Sequence, residues 1–235
     1  MFNDMRILAL IPARGGSKGI KNKNIIDIGG KPLISYTIAA GKQSRYIDDV
    51  VVTTDSETIK DVAIKYGADV PFLRPAELAK DTSTSLDAVL HAVHELENQG
   101  RKYDVLILLQ PTSPLRTAED IDSAIEKFNK YGCESLVSVS EVKDHPIFMR
   151  KIIDDRSMEK FLNQKSTIRR QDMPPIYRVN GGIYINLIKE LNEDTSFGDN
   201  KVPFIMEQRH SVDVDEYSDI ALVEYYLNHE SKEAE

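Results

Sequence analysis

The sequence is poor in the features that mark several protein classes. It holds a single cysteine, Cys133, which rules out an internal disulfide framework or a cysteine-rich metal site. Cys133 reads as a small core residue of a cytosolic protein. The five histidines are scattered, with no H-x-x-x-H pair, and His145 before Pro146 reads as structural. No apolar run approaches the ~20 residues of a membrane span. Asp4 and Arg6 precede an apolar run too short for a secretory signal, so a cytoplasmic location is expected. Positive charge is not in excess either. The net charge of −8 disfavours nucleic acid or an anionic membrane as the main partner. No internal repeat and no low-complexity tract is visible. What remains is 235 residues, 41% hydrophobic and 29% charged, enough for one large soluble α/β domain with a small insertion.

The chain is organised around Ile11-Pro12-Ala13-Arg14-Gly15-Gly16-Ser17-Lys18-Gly19-Ile20-Lys21-Asn22-Lys23-Asn24. The apolar run before it, from Ile7, reads as a buried strand. Gly15, Gly16 and Gly19 let the backbone turn tightly and approach a ligand. Arg14, Lys18, Lys21 and Lys23 add positive charge. At the end of a first strand this combination suits a polyphosphate, and the alternative is a solvated basic loop. The string contains neither G-x-x-x-x-G-K-[ST] nor G-x-G-x-x-G. That argues against a P-loop nucleotidase and a dinucleotide dehydrogenase.

Further along, Pro32 opens a helix with Leu33, Ile34, Thr37, Ile38 and Gly41 on one face. Asp49–Thr54 reads as a strand, Asp55-Ser56 as a helix cap, Gly67 as that helix's end and Val70–Leu73 as a short strand. This β-α-β-α-β order argues a parallel sheet with crossover helices. A hydroxyl-rich loop, Arg74–Ser85, leads into a helix carrying Leu86, Val89, Leu90, Val93 and Leu96. Asp104–Leu109 suits a central strand covered on both faces. Gln110-Pro111-Thr112-Ser113-Pro114-Leu115-Arg116 follows at its ligand-binding end, and Arg116 there stays open between a structural and a functional role. Thr117 and Asp120 form a capping box, and Ser135–Val142 is a further strand. Residues 143–178 change character and read as an inserted arm of short strands. Ile183–Leu187 returns to the sheet, and Phe197 lies in a loop that could be a lid. In Ser211-Val212-Asp213-Val214-Asp215, a strand would put both aspartates on one face. Two close carboxylates call for a cation or a shared proton, and a D-x-D at a strand end can hold Mg²⁺. The alternative makes Asp215 the cap of the last helix, whose inward face carries Ile220, Val223, Tyr226 and Leu227 and is expected to pack on the sheet.

Several of these strings together resemble the CMP-nonulosonate synthetases, the acylneuraminate or sialic-acid-type cytidylyltransferases. I-P-A-R-G-G-S-K-G followed by K-N is similar to the family's signature. R-P-A-E-L-A-x-D-T-x-x-S, L-Q-P-T-S-P-L-R, R-Q-x-x-P from Arg170, R-x-N-G-x-I-Y-I-N from Arg178 and the D-x-D follow in the family's order, across nearly the whole chain. The resemblance implies a three-layer Rossmann-like fold with a mostly parallel sheet. It places a nucleotidyltransferase domain at residues 1–142 and 179–235 and a dimerisation arm at 143–178. It implies a homodimer whose arm reaches over the partner's site. One departure stands out. Sialate-type members carry a lysine soon after His-Pro, whereas here His145-Pro146-Ile147-Phe148-Met149 runs on to Arg150.

The implied reaction is CTP plus an acidic nine-carbon α-keto acid sugar giving CMP-sugar and pyrophosphate. The sugar would be of the sialic, legionaminic or pseudaminic type. Arg14, Gly15, Ser17, Lys18, Lys23, Asn24, Arg74, Ser83 and Ser85 would serve the nucleotide. Gln110, Arg170, Arg178, Asn180 and Tyr184 would serve the sugar. Asp213 and Asp215 would hold Mg²⁺, with Mn²⁺ able to substitute, and together with Arg14 and Lys23 form the catalytic set. Two alternatives are a 3-deoxy-octulosonate cytidylyltransferase, which opens differently after Pro-Ala-Arg, and a non-catalytic nucleotide-binding protein on the same fold.

Overall fold

The computed structural model describes residues 5–17, 19–132, 135–163, 167, 169 and 172–233. Lys18, Cys133, Arg170 and Gln171, singled out above, lie outside the described residues.

In chain order the elements are β1 (Ile7–Pro12), a short hairpin of β2 (Asp27–Ile28) and β3 (Lys31–Pro32), α1 (Leu33–Gln43), β4 (Asp49–Thr53), α2 (Glu57–Lys65), α3 (Ser85–Asn98), β5 (Val105–Leu108), α4 (Ala118–Lys130), β6 (Ser135–Glu141), β7 (Arg150–Asp154), β8 (Ser157–Lys160), β9 (Tyr177–Leu187), β10 (Val202–Ile205) and α5 (Tyr217–Glu233). Six strands make one sheet in the order β10-β6-β9-β5-β1-β4. β9 runs antiparallel to both neighbours, and every other pairing in that sheet is parallel.

The alternation along β1 divides the core. Ile7, Ala9 and Ile11 face one side, with Ile34 and Ile38 of α1, Ile59 of α2 and Ile121 of α4. Leu8 and Leu10 face the other, with Val89, Ala92 and Leu96 of α3. Successive strand side chains point to opposite faces, so a strand apolar at every position must be covered twice. The helices start where side chains can cap them. Ser56 accepts from Ile59 N–H at the head of α2, and Thr84 and Thr117 each form a complete capping box, with Asp87 and Asp120.

Five expectations need correction. Val70–Leu73 adds no strand beyond a bridge between Val51 and Asp69, because Pro71 has no N–H for a ladder. β9 starts at Tyr177 rather than Ile183, with a register shift opposite Val137–Val139 and Gly181 at φ +78° absorbing the irregularity. Phe197 is no lid. It is 9% exposed, its ring lies 5.9 Å from that of Tyr184, and it fills the α3-side core. The segment carrying Asp213 and Asp215 lies outside any strand, pinned where Val214 N–H donates to Thr112 O at 2.8 Å. α5 packs Val223 on a third cluster with Ile20, Ile28, Leu33, Leu115 and Val214, not on the sheet itself.

Between β6 and β9 the chain makes the antiparallel β7–β8 hairpin. Ile147 beneath it is buried, but Ile152, Ile153, Met158 and Phe161 are 75%, 59%, 65% and 55% exposed.

Candidate active site

β1, β4 and β5 end at the same edge of the sheet, and there the loop after β1, the loop that leads from α2 into α3 and the loop after β5 enclose a cleft of ≈ 500 Å³. This is where open α/β sheets bind ligands. Arg14, Ser17, Gly19, Lys23 and Asn24 line it from the first loop, Arg74 and the Ser83-Thr84-Ser85 run from the second, and Gln110 and Thr112 from the third, with Asp215 at its far side. The hydroxyl run sits at the N-terminus of α3, where unpaired backbone N–H groups favour an anion.

Arg14, Lys23 and Arg74 each have a defined hold. Arg14 pairs with Asp81 at 3.0 Å and donates to Lys80 O at 3.2 Å. Lys23 Nζ donates to Val214 O at 2.9 Å and lies 3.0 Å from Asp215 Oδ1. Arg74 is buried and donates to Thr53 O at 3.1 Å. Burial depresses its pKa, Asp55 opposes that, and the charge of Arg14 adds to it. The backbone is braced too. Gly15 N–H donates to Asp55 Oδ1 at 2.8 Å, so that N–H serves the loop rather than a phosphate, and Asn24 Nδ2 donates to Arg14 O at 3.0 Å. Ser83 Oγ donates to Glu77 O at 2.9 Å, while Ser85 opens α3.

The two aspartates have opposite surroundings. Asp215 is largely exposed and bound by Lys23. It does not cap α5, because Asp219 Oδ2 accepts both Asp215 N–H and Glu216 N–H. Asp213 is recessed, and its Oδ1 is buried without a hydrogen-bond partner. Burial raises its pKa. A hydrogen bond from Thr112 opposes this, the nearby Asp215 charge adds to it, and Lys23 opposes it. An orphaned buried carboxylate oxygen beside a second carboxylate fits a divalent cation, whose other positions water and phosphate oxygens can complete.

Asp213 borders a second cleft of ≈ 640 Å³, which Asp215 shares with the first, with Arg178 and Lys143 on its wall. The residues expected to serve a sugar are therefore not gathered in one place. Gln110 lines the first cleft and Arg178 the second. Tyr184 is half-buried in the α3-side core, its pKa raised by burial and by the charge of Asp213. Asn180 is 5% exposed and fully engaged: it accepts from Ser138 Oγ at 2.5 Å and from Gly182 N–H, and donates to Ser211 Oγ at 2.9 Å. It supports the segment before Asp213.

Two residues carry more than their local sequence shows. Arg116 is 2% exposed and donates from Nη1 to Gly182 O at 2.8 Å and Gln110 O at 3.3 Å, tying the third loop to β9. Burial pushes its pKa down to about 10, against the charge of Asp120. Asp55 braces the first loop, and only its place just past a strand hints at that.

Residues 8–229 match the model of the family described as cytidylyltransferase. CMP-N,N'-diacetyllegionaminic acid synthase of Legionella pneumophila is 41% identical over 223 residues, 94% of this chain and 95% of the relative. Pseudaminic acid cytidylyltransferase of Campylobacter jejuni is 36% identical over 231 residues, 97% of this chain and 99% of that one. N-acylneuraminate cytidylyltransferase of Escherichia coli is 37% identical over 221 residues, 92% of this chain but only 51% of that longer relative. The solved structure of CMP:2-keto-3-deoxy-manno-octonic acid synthetase complexed with CTP shares the fold, with a TM-score of 0.71 at 16% identity, covering 96% of this chain and 99% of that one. The basic loop, the α3 N-terminus and the aspartate pair thus converge in a chain that belongs to the cytidylyltransferase family of nucleotidyltransferases.

Proposed function

We propose that this protein joins CTP to a nine-carbon α-keto acid sugar of the nonulosonic type, releasing pyrophosphate. The observation that carries the reading is a cleft whose basic, hydroxyl-rich lining reaches Asp215, next to Asp213 with its orphaned buried oxygen at the border of the adjoining cleft. The full-length similarity to a legionaminic acid synthase and a pseudaminic acid cytidylyltransferase supports that acceptor class. The octulosonate alternative has less support, because its relative shares the fold at only 16% identity.

In this reading the anomeric hydroxyl oxygen attacks the α-phosphorus as the bond to the β-phosphate breaks. Such chemistry depends on positioning and charge neutralisation. Arg14, Ser17, Lys18 and Lys23 hold the triphosphate and offset the charge that builds on pyrophosphate. Arg74, Ser83 and Ser85 line the nucleotide end, Gly15 and Asn24 keep the loop in shape, and Gln110 faces the acceptor. Arg178 and Arg170 are the cations proposed for the sugar carboxylate, which suits a bidentate guanidinium, and Tyr184 is proposed to line the sugar. Asp213 and Asp215 are the residues that would hold Mg²⁺, or Mn²⁺ in its place, which when bound supplies Lewis-acid charge at the reacting phosphate.

We also propose a homodimer built on residues 143–178. The exposed Ile152, Ile153, Met158 and Phe161 form an apolar surface that a second copy would cover, and light scattering tests it. The activity is tested by pyrophosphate release from CTP with N-acetylneuraminate, legionaminate and pseudaminate as separate acceptors. No release with any of the three, at saturating CTP and Mg²⁺, rejects the reading.

A further inference from the structure

We propose that His210 is a positioning residue for the catalytic carboxylates: through a buried pair with Asp120 it fixes the turn from which Asp213 and Asp215 project. This rests on the reading of those aspartates as the metal-holding pair.

His210 Nδ1 lies 2.8 Å from Asp120 Oδ2, and the two side chains are only 10% and 14% exposed. Enclosing a cation and an anion is costly, and an apolar pair of the same shape often packs as well. The pair therefore needs a reason beyond filling space. Helix α4 does not supply one. Asp120 already completes the capping box, accepting from Thr117 N–H at 2.9 Å and Thr117 Oγ1 at 3.0 Å. The helix start is satisfied without His210.

The reason lies on the other side. Arg209–Ser211 is a three-residue 3₁₀ turn with no length to stabilise itself. It leads directly into Asp213 and Asp215. Tertiary bonds hold it at three points: Ser211 Oγ accepts from Asn180, His210 meets Asp120, and Val214 N–H donates to Thr112 O. The last two anchors lie at opposite ends of one stretch, Thr112–Asp120, which begins in the cleft wall. His210 thus makes the carboxylates and the third loop move as one body. A shift of about 1 Å at a reacting centre can cost 10²-fold in rate. The charges facing His210 are Asp120 from α4 and Glu207 and Arg209 from its own segment. The close approach of Asp120 dominates and raises the pKa of His210 against burial, so the imidazolium is favoured.

The test compares wild type with His210→Leu and His210→Asn, the second keeping an N–H donor near the Nδ1 position. Binding of Mn²⁺ alone is followed by the paramagnetic resonance of the free ion, and the Mg²⁺ requirement by pyrophosphate release. His210→Leu should weaken Mn²⁺ binding and raise the half-saturating Mg²⁺ about tenfold, the scale seen when partners of metal ligands are removed. The KM for CTP should change less than about twofold, since no triphosphate contact is touched. His210→Asn should recover most of the loss. Should His210→Leu fail to fold by circular dichroism, Asp120→Asn decides instead, and should weaken Mn²⁺ binding in the same direction. A folded His210→Leu with wild-type metal binding and requirement overturns the inference alone, and so do equal losses in His210→Leu and His210→Asn. Wild-type protein that binds no Mn²⁺ overturns the metal reading, and this inference with it.

Discussion

Two irregular segments face each other across the cleft, the basic loop that follows β1 and the acidic segment that follows the Arg209–Ser211 turn. They touch directly, through Lys23 on Val214 O and Asp215. Their surroundings differ in kind. Arg14 of the loop rests on a partially exposed partner, Asp81, with side chains 34% and 49% exposed. Exposed ion pairs of this sort contribute about 0–1 kcal/mol, so Arg14 can exchange Asp81 for a phosphate at little cost. The acidic segment hangs instead from buried donors and acceptors: Asn180, Ser211, His210, Asp120 and the Thr112 carbonyl. The difference teaches a division of labour. Arg14, which must catch a flexible triphosphate, is loosely held, and Asp213, which must meet a reacting centre, is recessed on a braced segment.

The largest expected effect comes from removing a fixed charge. Asp213→Asn keeps shape and volume but loses the carboxylate, and kcat should fall by about 10²–10³-fold, the scale of losing one preorganised electrostatic group. Arg14→Met removes a loosely held charge, so its main effect should be a KM for CTP raised about tenfold with a smaller change in kcat. Steady-state kinetics at saturating Mg²⁺ checks both. If Arg14→Met lost kcat alone and Asp213→Asn raised KM alone, the division would be inverted.

A smaller effect sharpens the contact between the segments. A Cβ placed on Gly19 would lie 3.1 Å from the backbone carbonyl oxygen of Asp215, while one on Gly16 would meet nothing within 4 Å. Gly19→Ala must therefore push the acidic segment away, and about tenfold loss in kcat/KM is expected. Gly16→Ala should stay within about twofold of wild type. Equal rates for the two variants would show that the approach of loop and carboxylates does not matter.

The sequence made the sheet legible where burial acts on every residue of a strand. Val105–Leu108 is apolar at each position because both faces are covered, and Thr117 with Asp120 marked the start of α4 by local spacing alone. The basic loop and the D-x-D were readable for the same reason, since each packs its chemistry into one short string. What was not legible depended on distant partners. The side chain that meets Asp120 is ninety residues away. Phe197 sits among loop-forming residues, and only the gap beside Tyr184 turns it inward. Asn180 belongs to a string matching the sugar-side motif, yet its amide is consumed by Ser138, Gly182 and Ser211. Arg116 lies near a helix start, as many surface arginines do, and is buried because the carbonyls of Gly182 and Gln110 need a donor.

The smallest effect tests the fixed side without any ligand. His210 has its pKa raised above the ordinary 6.5, chiefly by its close contact with Asp120. A raised histidine contributes stability that is fully present below pH 6.5 and is lost as pH climbs through the folded-state value. Asp120 has its pKa lowered below 3.8. Burial works against this, and the contact with His210 and the hydrogen bonds from Thr117 outweigh it. A lowered carboxylate contributes stability that is present above pH 3.8 and is lost as pH falls through its folded value. The pair therefore contributes most between pH 3.8 and pH 6.5. The melting temperature of wild type should exceed that of His210→Asn by the widest margin in that window. The gap should narrow as pH rises through and beyond the folded pKa of His210, where the imidazole of wild type is neutral like the amide. Differential scanning fluorimetry at matched ionic strength follows it. A gap that is constant from pH 5 to pH 9 would mean that His210 holds the turn by shape and a neutral hydrogen bond, with its charge contributing nothing.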